Sequence, residues 1–553
     1  MKELLKSIIL EAIRRASEQG KLPPIDPPPS ITLEQPPDER WGDYATNVAM
    51  PLAQEVGLPP RQVAEEIAGG IRGGGVIKRV EVAGPGFINL TLEDRVWFGA
   101  LKEANLRGEA YGRRELGKGK RVLIEFLSAN PTGPLHIGHG RIAALGDILA
   151  NVLEAAGYEV EREYYINDVG AQMEALGRSV YARYMELWGR EVPFPEDGYQ
   201  GEYIREIAAR IKEERGERYL QVPEEEAQEE IRERAKEIIL EGIKEDLEVF
   251  RVRFDRWVRE ASLYEEGLLQ EALDALKEKG LLYEADGALW FKSTLFGDEK
   301  DRVVVRANGT TTYFASDISY HREKFRRGYD LLVDIWGADH HGYVPRVRAA
   351  LRALGLEEER LKVLLVQLVN LMRGGKKVSM STRAGEFTTL REVIEEVGVD
   401  ACRYFFMLRR ADSPVDFDLE LAKRQSAENP VYYVQYAHAR ISSIFRKAAE
   451  RGVALPEGEV DLGPLVLPEE RGLAKRVGLF PDLIEEMALS FEPHRLIPYL
   501  QDMVSLFHSY YNKHRVLTED EGLTAARLYL VKAIRIVVRN ALSLLGIEAP
   551  EEM

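Results

Sequence analysis

The chain has 553 residues, 45% of them hydrophobic and 30% charged, which suits a soluble globular protein of three or four domains. No apolar run approaches the roughly 18–20 residues of a membrane-spanning helix, and residues 1–12 mix charged and apolar types like an amphipathic helix, not a signal peptide, so a cytoplasmic protein with no membrane contact is expected. One cysteine, Cys402, excludes an internal disulfide framework and a cysteine-held zinc, and the net charge of −17 argues at first against nucleic acid.

The charge is unevenly spread. Residues 191–300 hold 30 Asp and Glu against 17 Lys and Arg, so one acidic segment sets the sign and the other 443 residues carry only −4. In chain order, residues 1 to about 110 read as an α+β module: a helix over about 2–19, the Pro-rich stretch Pro23–Pro29, a turn-rich segment Trp41–Asn47, a helix, and strands Val76–Val82 and Phe87–Leu92 around Gly84-Pro85-Gly86. From about 116 strands and helices alternate. Strands are expected at 121–127, 158–165, 330–335 and 361–367, and helices at 137–156, 168–187, 312–327 and 341–354. That pattern predicts an α/β domain over 116–390 with a doubly wound, Rossmann-like parallel sheet, interrupted at about 187–300 by the acidic segment, read as helical. Beyond about 390 the period is almost wholly helical, giving a connector over 391–427 and an all-α bundle over 428–553.

Residues 128–140 read Ser-Ala-Asn-Pro-Thr-Gly-Pro-Leu-His-Ile-Gly-His-Gly. They follow the β-branched, apolar run Val122, Leu123, Ile124 and precede a helical run, with Asn130, Pro131, Gly133 and Pro134 breaking the chain between them. The reading is a strand, a tight turn and a helix start carrying His136 and His139 on one face of the first turn, with Gly138 leaving room for a planar ligand. The helix dipole favours anionic oxygens there, so triphosphate is the expected occupant. The plainer alternative is a pair of histidines that cap the helix. In its place at the first strand–helix junction the segment resembles the His-Ile-Gly-His signature of class I aminoacyl-tRNA synthetases.

That resemblance calls for a second loop of pattern Lys-Met-Ser-Lys-Ser that grips departing pyrophosphate. Residues 374–385 match its core at Met380 and Ser381, while Ser379 and Thr382 stand where the lysines would be. Lys376, Lys377 and Arg383 are the candidates to supply cationic charge near the β and γ phosphates; an ordinary basic surface loop is the alternative. The stretch Trp336–Gly342 resembles the loop that holds adenosine, with Gly337 allowing close approach, Asp339 accepting from a ribose hydroxyl, and His340 beside them. The adjacent His340 and His341 lack a third ligand at useful spacing, so no protein-held metal is expected and magnesium would arrive with ATP.

A guanidinium offers donors and no acceptor, so an arginine site needs carboxylates. Glu125 lies in an otherwise apolar strand, and Asp317 follows Tyr313 by four residues, placing ring and carboxylate on one helix face. A strand-end salt bridge and a solvated charge are their ordinary alternatives. Here the chain resembles the arginyl-tRNA synthetases over nearly its whole length, and departures in the second loop recur in that family. The resemblance implies an arginine site of Glu125, Asn130, His136, Tyr313, Asp317 and His341, with Asn167–Gln172 a further landmark. It implies arginine activation by ATP, transfer to the terminal adenosine of tRNA(Arg), and activation that requires bound tRNA.

The ends of the chain would face the RNA. Residues 429–440 are similar to the start of the arginyl anticodon-binding domain and contribute Tyr436, His438 and Arg440. Tyr510, Tyr511 and Arg515 interleave aromatics with bases, and Lys532, Arg535 and Arg539 make one basic helix stripe, a pattern that is as often a solvated face. The N-terminal module resembles the one with which arginyl enzymes touch the outer corner of tRNA; Phe87 would stack and Asn89 would read a base, unless Phe87 is core. A monomer is expected. The rivals are a nucleotidyltransferase acting without RNA, a non-catalytic RNA-binding relative, and a synthetase for lysine.

Overall fold

The computed structural model describes residues 1–36, 38–378 and 387–553. It opens with strands β1 (Tyr44–Thr46), β2 (Ile77–Ala83) and β3 (Phe87–Leu92), antiparallel in the order β1-β3-β2, against which the helices Ala49–Val56 and Pro60–Gly70 pack. Then come β4 (Arg121–Phe126), β5 (Glu159–Ile166) and β6 (Arg256–Arg259), an antiparallel trio β7 (Leu282–Ala285), β8 (Ala288–Phe291) and β9 (Arg302–Val305), and β10 (Leu331–Gly337) and β11 (Leu361–Val366). Strands β11-β10-β4-β5-β6, in that order, form one parallel sheet.

Its central strands are apolar on both faces because helices cover both. Val122, Ile124 and Phe126 of β4 join Val333 and Ile335 in the core beneath the helix Ile137–Ala155. Leu123 and Leu332 point the other way, onto Val347 and Leu351 of the helix Val344–Leu354. Gly146 sets the first of these contacts: a Cβ there would lie 2.2 Å from the Phe126 ring, so glycine lets helix and strand approach.

Two expectations are corrected. The acidic segment does contribute the helices Glu202–Arg215 and Glu224–Val249, but it also supplies β6, the edge strand of the main sheet, and the strands β7 and β8. Strands of four residues are too short for periodicity to betray among so many charges. The second lies before 390: β12 (Val369–Arg373), outside the expected strands, forms a hairpin with β13 (Lys376–Lys377) and pairs in parallel with β14 (Val415–Asp418), the one strand among the described residues of the otherwise helical stretch beyond 390.

The helices Pro430–Glu450, Pro468–Ser490, Leu496–Lys513 and Glu521–Leu544 make the terminal bundle, which also receives the helix Asp94–Arg107. Asp482 in the bundle accepts from the Tyr44 hydroxyl (2.8 Å) and from Arg114 (2.6 Å). Arg403, fully buried in the helix Val399–Phe406, donates to Leu545 O (2.6 Å) and Phe250 O (3.0 Å) and pairs with Asp147. One guanidinium thus caps the carbonyl ends of two helices from different parts of the chain while anchored to a third.

Candidate active site

The signature turn leaves β4 through two successive positive-φ residues, Leu127 (φ 71°) and Ser128 (φ 38°), strain of a kind that persists where the surroundings over-determine it. The turn ends at His136, the N-cap of Ile137–Ala155. His136 Nδ1 accepts from the His139 N–H (3.2 Å), and His139 Nδ1 accepts from the His136 N–H (3.3 Å), a reciprocal capping box. The two rings stack at 3.5 Å between centroids, tilted by 13°. The capping alternative is therefore realised. With each Nδ1 accepting, each ring keeps its proton on Nε2, directed away from the cap. Burial lowers the pKa of both, and the neighbouring His136 lowers that of His139 further, which favours the neutral imidazole in each. At Gly138 a Cβ would come within 3.0 Å of the His136 ring.

On the strand side of the signature turn, carboxylates from β4, from the residue after β6 and from the helix Tyr313–Arg326 converge on Tyr165 of β5. Glu125 is buried in β4 and is held twice, by the Ser128 hydroxyl at 2.8 Å and by Lys324. Asp317 sits one helical turn after the exposed Tyr313, as the spacing predicts, in the helix Tyr313–Arg326; burial first, and then Glu125, push its carboxyl up to about 6 against His321 and Tyr343. Sequence reasoning missed Glu260. It is 2% exposed, immediately after β6, and burial followed by the Asp317 and Asp168 charges pushes it up to about 7 against a hydrogen bond from Ser316. Tyr165 on β5 marks where these groups meet, its hydroxyl pKa raised by burial and then by Glu260, Asp317 and Glu125. The available signal for Glu260 was a carboxylate ending the short run Trp257-Val258, invisible inside an acidic segment. Asn130 donates to Gln172 Oε1 at 2.6 Å, joining the signature turn to the 167–172 landmark.

The 336–342 stretch forms the end of β10 and the short 3₁₀ segment Ala338–Tyr343, with Asp339, His340 and His341 exposed. A Cβ at Gly337 would fall 2.4 Å from Asp339 Oδ1, the tip of an exposed side chain that is free to turn away. His341 Nδ1 lies 3.2 Å from Ala338 O. Lys376 and Lys377 are exposed on β13, whereas Met380, Ser381 and Arg383 lie outside the described residues. The downstream flank of that loop reaches the histidines: His136 and Thr389 form an antiparallel bridge, Leu390 donates to Leu135 O at 2.7 Å, and Phe387 stands edge-on to the His136 ring at 6.3 Å.

Three family models divide the chain: "Arginyl tRNA synthetase N terminal domain" matches residues 3–92, "tRNA synthetases class I (R), catalytic domain" 101–441, and "DALR anticodon binding domain" 434–553. The chain belongs to the arginyl-tRNA synthetases. It is 55% identical to the arginine–tRNA ligase of Syntrophotalea carbinolica over 100% of both chains, and 50% identical to that of Geobacillus kaustophilus over 99% of each. The Thermus thermophilus arginyl-tRNA synthetase superimposes on 99% of this chain and 100% of its own with a TM-score of 0.77 at 26% identity.

Of the residues expected to face RNA in this synthetase, the structure separates surface from core. Phe87 is 41% exposed, not core, whereas Asn89 is buried at 7%, which corrects the expectation of an amide offered to a base. His438 (2% exposed) is likewise a correction, its Nδ1 lying 2.7 Å from Pro550 O, and so is Tyr510 (0%), whose hydroxyl donates to Glu470. Both turn inward on helices that bury about half of their residues, 10 of 21 in Pro430–Glu450 and 8 of 18 in Leu496–Lys513. Tyr436, Arg440 and Tyr511 stay together at the surface side: the Arg440 guanidinium lies 4.6 Å over the Tyr436 ring and 5.2 Å over that of Tyr511. Arg515 is exposed and Lys532 half-buried. The basic stripe is partly spoken for, since Arg539 pairs with Glu109 and Arg535 donates to Ser442 Oγ at 3.3 Å.

Proposed function

We propose that the arginine carboxylate attacks the α-phosphate of MgATP in line at this site, giving arginyl-adenylate and pyrophosphate. The 2′-hydroxyl of the terminal adenosine of tRNA(Arg) then takes the arginyl group. The observation that carries this reading is the convergence of Glu125, Asp317 and Glu260 around Tyr165, with two imidazoles at the N-terminus of the helix that follows β4. A guanidinium supplies donors and positive charge to the first group; phosphate oxygens accept from the second.

In this reading Glu125, Asp317 and Glu260 hold the guanidinium, Tyr313 packs on the side chain, and Asn130 and His341 orient the amino-acid head. His136 and His139 donate from Nε2 to phosphate oxygens, Gly138 admits the nucleotide, and Gly337, Asp339 and His340 take the adenosine. Lys376, Lys377, Ser381 and Arg383 meet the departing pyrophosphate, with Met380 packing beside them. No side chain forms a covalent intermediate; positioning and charge stabilisation do the chemistry. Magnesium enters bound to ATP, held by the phosphates. Residues 1–110 and 428–553 bind tRNA through Phe87 and through Tyr436, Arg440, Tyr511 and Arg515, around a catalytic domain of 116–390 and a connector of 391–427. The protein acts as a cytoplasmic monomer.

Arginine-dependent exchange of labelled pyrophosphate into ATP, run with and without tRNA, tests this. Exchange only with tRNA is expected. Exchange without it would overturn the dependence on RNA, and none under either condition would overturn the activity.

A further inference from the structure

Lys324 is a fully buried ammonium that the proposed mechanism does not use. It donates to Glu125 Oε2 on one side and, at 2.7 Å, to Asp334 Oδ1 on the other, and it lies 4.4 Å over the Tyr320 ring. Asp334 is 1% exposed and is also 2.9 Å from His321 Nε2. Tyr320 in turn stacks on Tyr165 at 4.3 Å, so the ammonium stands directly behind the wall of the arginine pocket. Burial opposes its charge, yet Asp334, Glu125 and Glu163 outweigh burial and raise its pKa above the ordinary lysine value. The ammonium is permanent. It fixes Oε2 of Glu125 while Ser128 holds Oε1, so the carboxylate has one orientation and offers its remaining lone pairs in one plane.

We propose that Lys324 is a specificity-determining positioning residue: it aims Glu125 at a guanidinium and repels an ammonium that would take the same carboxylate. A planar fork shares its charge between Glu125 and Asp317, whereas a substrate ammonium on Glu125 would be a second point charge beside the first. The inference rests on Glu125 being part of the arginine site.

The test is a cycle of the full-length variants Lys324→Met, Glu125→Gln and Glu125→Gln/Lys324→Met, with Lys324→Arg as the conservative control, in exchange assays with arginine, lysine and ornithine. Lys324→Met should raise the arginine KM on the order of 100-fold with the ATP KM within about threefold, and should narrow the arginine-to-lysine preference about tenfold. Lys324→Arg should recover all but about tenfold of the loss, and in the Glu125→Gln background Lys324→Met should add less than about threefold. The double variant has one fewer uncompensated buried charge than Lys324→Met, so it remains readable where that variant folds poorly. Multiplying losses in the double variant, or arginine and ATP parameters falling together with the folded fraction, would overturn the inference alone. Absence of arginine-dependent exchange in the unaltered protein would overturn the site reading and the inference with it.

Discussion

Lowering the pH from 8 to 6 should weaken arginine binding about twentyfold, because two of the three pocket carboxyls titrate in that window. Glu260, raised to about 7, is almost wholly protonated at pH 6 and accounts for about tenfold; Asp317, raised to about 6, is half protonated and adds about twofold. Both groups are raised above their ordinary values of 4.5 and 3.8, so between about pH 4 and 7 the folded chain binds more protons than the unfolded one. Their contribution to stability therefore falls as pH rises across that window, and a bound guanidinium, which favours the ionised forms, restores it. Titration calorimetry at pH 6, 7 and 8, in buffers of different ionisation heat, should show the affinity change and proton release on binding below pH 7. Glu260→Gln should leave only the twofold component. Affinity that does not change from pH 8 to 6 would refute the reasoning, and an unaltered tenfold component in Glu260→Gln would remove Glu260 from the pocket.

Three other outcomes follow. His136→Asn keeps a good N-cap residue but loses the outward Nε2–H, so calorimetric stability should change by only about 0.5 kcal/mol while pyrophosphate exchange falls roughly 100-fold; wild-type exchange would detach His136 from the phosphates. Gly146→Ala puts a methyl 2.2 Å from the Phe126 ring and should cost about 1–3 kcal/mol by denaturant unfolding, and an unmoved midpoint would mean the helix shifts freely on β4. Phe87→Ala should raise the tRNA KM roughly tenfold, with Asn89→Ala within about twofold of the unaltered protein; the reverse order would return base reading to the amide.

The signature turn was legible because Pro and Gly break the chain exactly where an apolar strand stops, and Tyr313 with Asp317 because a spacing of four is a helix face. Lys324 was not. Its partners lie 199 and 10 residues away, and a lysine near the end of a charged helix looks like a solvated one until β4 and β10 close over it. His438 and Tyr510 were misplaced for a related reason: a contiguous aromatic and basic string hides the 3.6-residue period that sets adjacent members about 100° apart, Tyr510 into the core and Tyr511 at its edge. Glu260 became visible only once β6 took its place at the sheet edge.

The cap that Arg403 places on two helix ends bears on how such chains can be recombined. A chimera cut at residue 428, where the composition suggests a boundary, would pair a foreign bundle with a guanidinium built for Leu545 O and for a glycine at 546, where a Cβ would lie 2.4 Å from Arg403 Nη2. The graft would also lose the Asn151 hydrogen bond to Leu544 O, 3.1 Å long, on the helix that carries His139. The portable unit runs from Val399 onward, and it should bring the complement of Asp147 with it.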